Sequence, residues 1–173
     1  MTTLTEGHLS CTFPDGWNIT KYDDWAFYRN RFVDACGGNK AVDFLAYDPQ
    51  GRTLWLVELK DYRQFRRTKD AKLSLCDEIA LKARDTLAGI FAAKVDTAHA
   101  DQPYAAKALD SAKLRVVLHL EQPGTNSKLF PRAYDRADVQ QKLKQVLKPI
   151  DAHPRVVELH DMTAVSWSAR SLP

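Results

Sequence analysis

The chain has 173 residues, of which 45% are hydrophobic and 27% charged, and its formal net charge is +3. This is an ordinary globular composition, long enough for one domain, 1–173, to bury a core. No apolar run approaches the ~20 residues of a membrane helix, and three widely spaced cysteines, Cys11, Cys36 and Cys76, suit a cytoplasmic location and exclude a disulfide framework or a structural zinc site.

In chain order, residues 1–20 read as an extended lead-in broken by Pro14 and Gly16, with neither the basic start nor the apolar run of a secretory signal. A first helix is expected from Asp23 or Asp24, which suit an N-cap, with Trp25, Tyr28 and Phe32 at helical spacing and Gly37–Gly38 as its end. Ala41–Tyr47 reads as a strand, Asp48-Pro49-Gln50-Gly51 as a turn, and Thr53–Leu59 as a second strand, apolar on both faces and therefore central. Lys60–Lys72, KDYRQFRRTKDAK, is a basic loop with six cations against two anions. A long helix follows over Leu73–Val95, its buried stripe formed by Leu75, Ile79, Ala83, Leu87 and Ile90. A short helix over Tyr104–Ala112, a buried strand over Leu114–Leu120, an amphipathic helix over Arg136–Leu147 and a last strand near Val156–His160 complete the order. The pattern predicts an α/β (α+β) fold of three layers around a central mixed sheet. The core is expected over about 23–120, with a C-terminal helix and strand extension over 121–173.

Three ionisable residues interrupt the apolar strands: Asp43, Glu58 and Lys60. Strand side chains alternate, so Glu58 and Lys60 share a face. A turn over residues 48–52 that pairs Asp48 with Thr53 sets Asp43 opposite Glu58, with Cβ atoms about 4.5–5.5 Å apart. Two such carboxylates repel unless a cation stands between them. Hard oxygen donors suit Mg²⁺ or Mn²⁺, and Lys60 adds a charge beside it for a phosphate oxygen or an attacking water. The constellation suits metal-assisted phosphodiester hydrolysis. The plainer alternative is a solvated strand end, because an acid and a lysine two residues apart arise often by chance.

The strand with Asp43, the turn, the strand ending in Glu58-Leu59-Lys60, the basic loop and the following helix together resemble the PD-(D/E)XK nuclease superfamily. The resemblance spans roughly Asp23–Leu120 and implies a restriction-endonuclease-like αβα core. It implies Asp43, Glu58 and Lys60 as catalytic residues and Asp43 and Glu58 as metal ligands. Val42 stands where the family motif often has proline, and the first helix has no Glu for the extra ligand, so Asp24 is expected there. Lys82 on the long helix is, by the same resemblance, a second phosphate contact; a Glu78–Lys82 helix pair worth ~0.3–0.5 kcal/mol is the plainer reading. Arg63, Arg66, Arg67 and Lys69, interleaved with Tyr62 and Phe65, suit a nucleic-acid backbone. The expected function is a metal-dependent nuclease, DNA before RNA as substrate, compatible with a homodimer and with no membrane partner. The rival is an inactive module of the same fold that binds nucleic acid or a protein partner in a defence or toxin system. His119 in LRVVLHLE reads as a core histidine with a hydrogen-bond partner.

Overall fold

The computed structural model describes residues 1–64, 67, 71–124 and 132–172. Its centre is a mixed five-stranded sheet in the order β3(Asn18–Lys21)–β4(Phe44–Asp48)–β5(Thr53–Asp61)–β6(Lys113–Glu121)–β7(Arg155–Val157). β3, β4 and β5 run antiparallel in turn, and β6 and β7 join parallel to β5. Parallel pairing demands a long crossover, which α1 (Leu75–Val95) and α2 (Gln102–Leu109) supply between β5 and β6. α3 (Arg136–Val146) joins β6 to β7.

The fold is α+β with three layers. The helices cover one face of the central sheet, where Leu45, Leu54, Leu56, Val116, Leu118 and Leu120 pack against α1 residues such as Ile79 and Ile90. The layer on the other face is a second sheet, β1(Thr2–Glu6)–β2(Leu9–Phe13)–β8(Ser168–Ser171), rather than helices. Leu9, Cys11 and Phe13 of β2 and Trp167 before β8 bury Phe44, Val57, Leu59 and Val117 beneath them.

The lead-in is therefore three strands. Leu9, Cys11 and Phe13 alternate inward, and that period of two is what makes β2 a strand. The expected first helix is a short irregular segment, a π-helical turn at Tyr28–Phe32 and a 3-10 turn at Ala35–Gly37, whose N-cap residues Phe27 and Asp34 make no side-chain cap hydrogen bond. Of its expected aromatic stripe, Trp25 is buried while Tyr28 and Phe32 are half-buried against the same core, and Tyr22 and Phe27 are the further aromatics buried there. β5 runs two residues further than the sequence predicts, because β6 pairs with it as far as Asp61↔Glu121. Lys60 consequently belongs to a strand, not to the loop. α1 opens at Ser74, whose side chain accepts the Asp77 N–H, and this cap fixes where the helix begins.

Candidate functional site

β4 and β5 pair in the register Phe44↔Val57 through Asp48↔Thr53. Continued by one position, it sets Asp43 across from Glu58, with Asp43 immediately before the strand rather than inside it. α1 fixes the approach to that position. Asp85 accepts the Lys40 N–H at 3.0 Å and Thr86 Oγ1 accepts the Val42 N–H at 3.1 Å. The Asp43 carbonyl accepts the Tyr22 N–H at 3.1 Å. The backbone around Asp43 is thus held by three hydrogen bonds, two with α1 and one with Tyr22, before its side chain is considered.

The side chains converge between β5 and α1. Glu58 is fully buried. Its Oε1 receives the Lys82 ammonium at 2.5 Å and the Lys60 ammonium at 2.7 Å. Lys82 Nζ lies 3.8 Å from Asp43 Oδ1, and Asp43 Oδ2 accepts the Leu59 N–H at 2.7 Å. Lys60 also approaches Glu78 Oε1 at 3.4 Å, whose Oε2 is held by Arg67 at 2.6 Å. The cluster therefore brings together three carboxyl groups (Asp43, Glu58, Glu78) and three cations (Lys60, Lys82, Arg67).

Burial, then the Glu58 charge, push the Asp43 carboxyl up to about 7; Lys82, the Leu59 N–H and Lys60 oppose the rise. Burial pulls the Lys60 ammonium down, but the pairing with Glu58, then Glu78 and Asp43, outweighs it and the net shift is upward. Burial also works against the Glu78 charge, yet Arg67 and Lys60 hold its carboxyl below the usual range.

Asp43, Glu58, Lys60 and Lys82 are brought together. Lys82 points inward at the carboxylates, where a phosphate contact was expected, and it does not pair with Glu78. Asp24 is exposed and bonded to Arg29. Arg63 is held by Asp61 at 2.5 Å and by Ser171 Oγ at 3.0 Å, and Arg67 by Glu78 and the Leu73 carbonyl. Arg66 and Lys69 lie outside the described residues, as does Phe65. On the other side of β6, buried His119 shares a 2.8 Å hydrogen bond with Glu121, which also accepts the Leu159 N–H.

Against a divalent ion the donor set fits poorly. Magnesium asks for about six oxygen ligands in near-octahedral array. Asp43 and Glu58 supply two carboxylates, three of whose four oxygens already face Lys60, Lys82 or the Leu59 N–H. Glu58 Oε2 alone is buried without a hydrogen-bond partner. Among the described residues no group of three or more His, Cys, Asp and Glu side chains is placed to hold a metal ion.

Beside the cluster, Lys40, Arg67, Ala71, Lys72, Leu73 and Glu78 line a cleft of about 520 Å³. Lys40 and Lys72 are exposed, and neither has an ion-pair partner among the described residues. Lys72 is the last cation of the basic loop Lys60–Lys72 expected from the sequence, and Lys40, just before β4, was not singled out there.

One curated relative is the cysteine–tRNA ligase of Neisseria meningitidis serogroup A, 34% identical over 168 residues, a match taking in 80% of this chain and 24% of the ligase. The chain thus spans about a quarter of that relative's length. No family model matches the chain, and no solved structure does. The ligase corrects the expected activity: the likeness is to a tRNA ligase, not to an endonuclease, exonuclease or other hydrolase of phosphodiester bonds. Among the described residues no helix is long and apolar enough to cross a membrane.

Proposed function

We propose that this chain is an RNA-binding unit related to part of a cysteine–tRNA ligase, and that the cleft beside Glu78 takes the phosphates of an RNA backbone. The relationship to the ligase carries the reading: 34% identity over most of this chain is matched to a protein named for tRNA. Because that match covers 24% of the ligase, the proposal assigns contact with RNA to this chain and not the joining of cysteine to it.

The electrostatics support the reading. Lys60, Lys82 and Arg67 are each paired with a carboxylate of the cluster, whereas Lys40 and Lys72 at the cleft have no ion-pair partner among the described residues. Exposed lysines release condensed counter-ions when they meet phosphate, which makes affinity fall steeply with salt. The RNA emphasis replaces the DNA preference expected from the sequence.

The test is fluorescence anisotropy of labelled tRNA, with duplex DNA alongside, across a salt series. Lys40→Glu with Lys72→Glu should weaken tRNA binding at least tenfold and reduce the salt slope by about two counter-ions. Equal binding by wild type and variant would remove the cleft from the interface. Absence of RNA binding at about 50 mM salt, where phosphate contacts are strong, would end the RNA reading.

A further inference from the structure

We infer that Lys82 is a built-in counter-ion, occupying with its ammonium the place between Asp43 and Glu58 where a divalent metal would otherwise sit. The inference rests on the geometry of the carboxylate pair and does not depend on RNA binding.

Two facing carboxylates, one of them fully buried, need positive charge between them. Lys82 Nζ is 2.5 Å from Glu58 Oε1 and 3.8 Å from Asp43 Oδ1, so it addresses both acids from α1. Lys60 reinforces it at 2.7 Å on the same Glu58 oxygen. An ammonium has three donors and no coordination geometry to satisfy, whereas a metal would have to displace Lys82 from the oxygen it holds. The Lys82 side chain is only 15% exposed, so it has little room to swing into solvent and leave the position open. Glu58 Oε2, buried and without a hydrogen-bond partner, remains the one oxygen an incoming ion could take. With two ammonium groups on the same carboxylate, a doubly charged ion would enter against their repulsion.

Removing the lysine reverses this. Lys82→Ala leaves the two acids with one ammonium, Lys60, and opens the volume of the lysine stem to an ion and its waters. The variant should then bind Mn²⁺ where the wild type does not.

The experiment is thermal melting in EDTA and in 1 mM MnCl₂, with Mn²⁺ binding followed by electron paramagnetic resonance. The wild type should melt at the same temperature in both. Lys82→Ala should melt lower in EDTA and recover roughly 5–10 °C in Mn²⁺, as expected for a ligand well above its Kd on a chain of this size. Lys82→Gln, which keeps a polar side chain, gives the same comparison if Lys82→Ala does not fold in EDTA. Glu58→Gln added to either variant should abolish the gain. Manganese stabilisation of the wild type would overturn the inference, and so would a folded Lys82 variant that takes up no Mn²⁺.

Discussion

Along β5, Leu54, Leu56, Glu58 and Lys60 face the helices, while Trp55, Val57 and Leu59 face the second sheet. On the second-sheet side the packing is aromatic. Trp167 lies 5.2 Å from Phe13 and 5.3 Å from Trp55, and Trp17 stacks on Trp55 at 6.5 Å. On the helix side the strand ends in charge, and that charge is tolerable only because α1 delivers Lys82 and Glu78 to meet it. The apolar face needs shape and area; the charged face needs particular partners at hydrogen-bond distance. A one-residue slip of β5 would send Glu58 into the tryptophans and Leu59 into the lysines. The buried acid therefore fixes register as firmly as the core does.

The largest expected effects separate the two faces. Phe13→Ala should cost about 3–5 kcal/mol through lost burial and a cavity. Glu58→Ala should cost a similar 3–5 kcal/mol for a different reason, since it strands buried ammonium groups. Denaturant unfolding of a double-mutant cycle tells them apart. Glu58→Ala with Lys82→Ala should show a coupling of about 0.5–3 kcal/mol, and Phe13→Ala with Lys82→Ala should be additive. An additive Glu58–Lys82 cycle would mean that the charged face is not held by that pair.

Much of this arrangement was legible in sequence. The Asp-Pro-Gln-Gly turn and the apolar alternation around it give the β4–β5 register, and with it the Asp43–Glu58 pairing. The helical period of Leu75, Ile79, Ala83 and Ile90 gives α1. The second sheet was not read. β8 is Ser-Ala-Arg-Ser, without any apolar alternation, and it is a strand because β2 pairs with it at Cys11↔Ala169. β2 did carry its signal in Leu9, Cys11 and Phe13, masked by the nearby Pro14 and Gly16. The site was legible as a set of residues but not as chemistry. Lys82 and Glu78 sit at the spacing of an ordinary helix pair, and only the packing of α1 on β5 shows that each bonds to the strand and its loop instead.

A pH experiment sharpens the contrast on the helix side. Asp43 titrates near 3.8 as a free side chain and is pushed to about 7 in the fold, chiefly by burial and then by Glu58. The folded state thus keeps a proton that the unfolded chain has already released. This contribution is complete below about pH 4 and is lost as the pH rises to about 7, amounting to a few kcal/mol at most. Glu78, whose pKa is lowered, works the opposite way and loses its contribution as the pH falls. Asp43→Asn removes only the first effect. The stability of wild type minus variant should therefore decline between pH 4 and 7, measured by urea unfolding at each pH. A difference that stays flat over that range would show that the Asp43 carboxyl is not perturbed.

The smallest predicted effect tests how α1 gets close enough to the sheet for Lys82 to reach Glu58. Gly89 lies seven residues beyond Lys82, two turns along the same helix face. A Cβ added there would fall 1.9 Å from Tyr22 Oη and 3.0 Å from Phe32 Cε1. Tyr22 is fully buried and has little room to yield. Helix propensity alone favours Gly89→Ala by about 0.8–1.0 kcal/mol. Overpacking opposes it by typically 1–3 kcal/mol, so the net change should be a destabilisation on the order of 1 kcal/mol. If α1 relieves the clash by lifting from the sheet, Lys82 moves with it, and the variant should also lose part of the Glu58–Lys82 coupling. A stabilised Gly89→Ala protein would show that the aromatic segment before β4 yields more easily than its burial implies, and that helix approach is set elsewhere along α1.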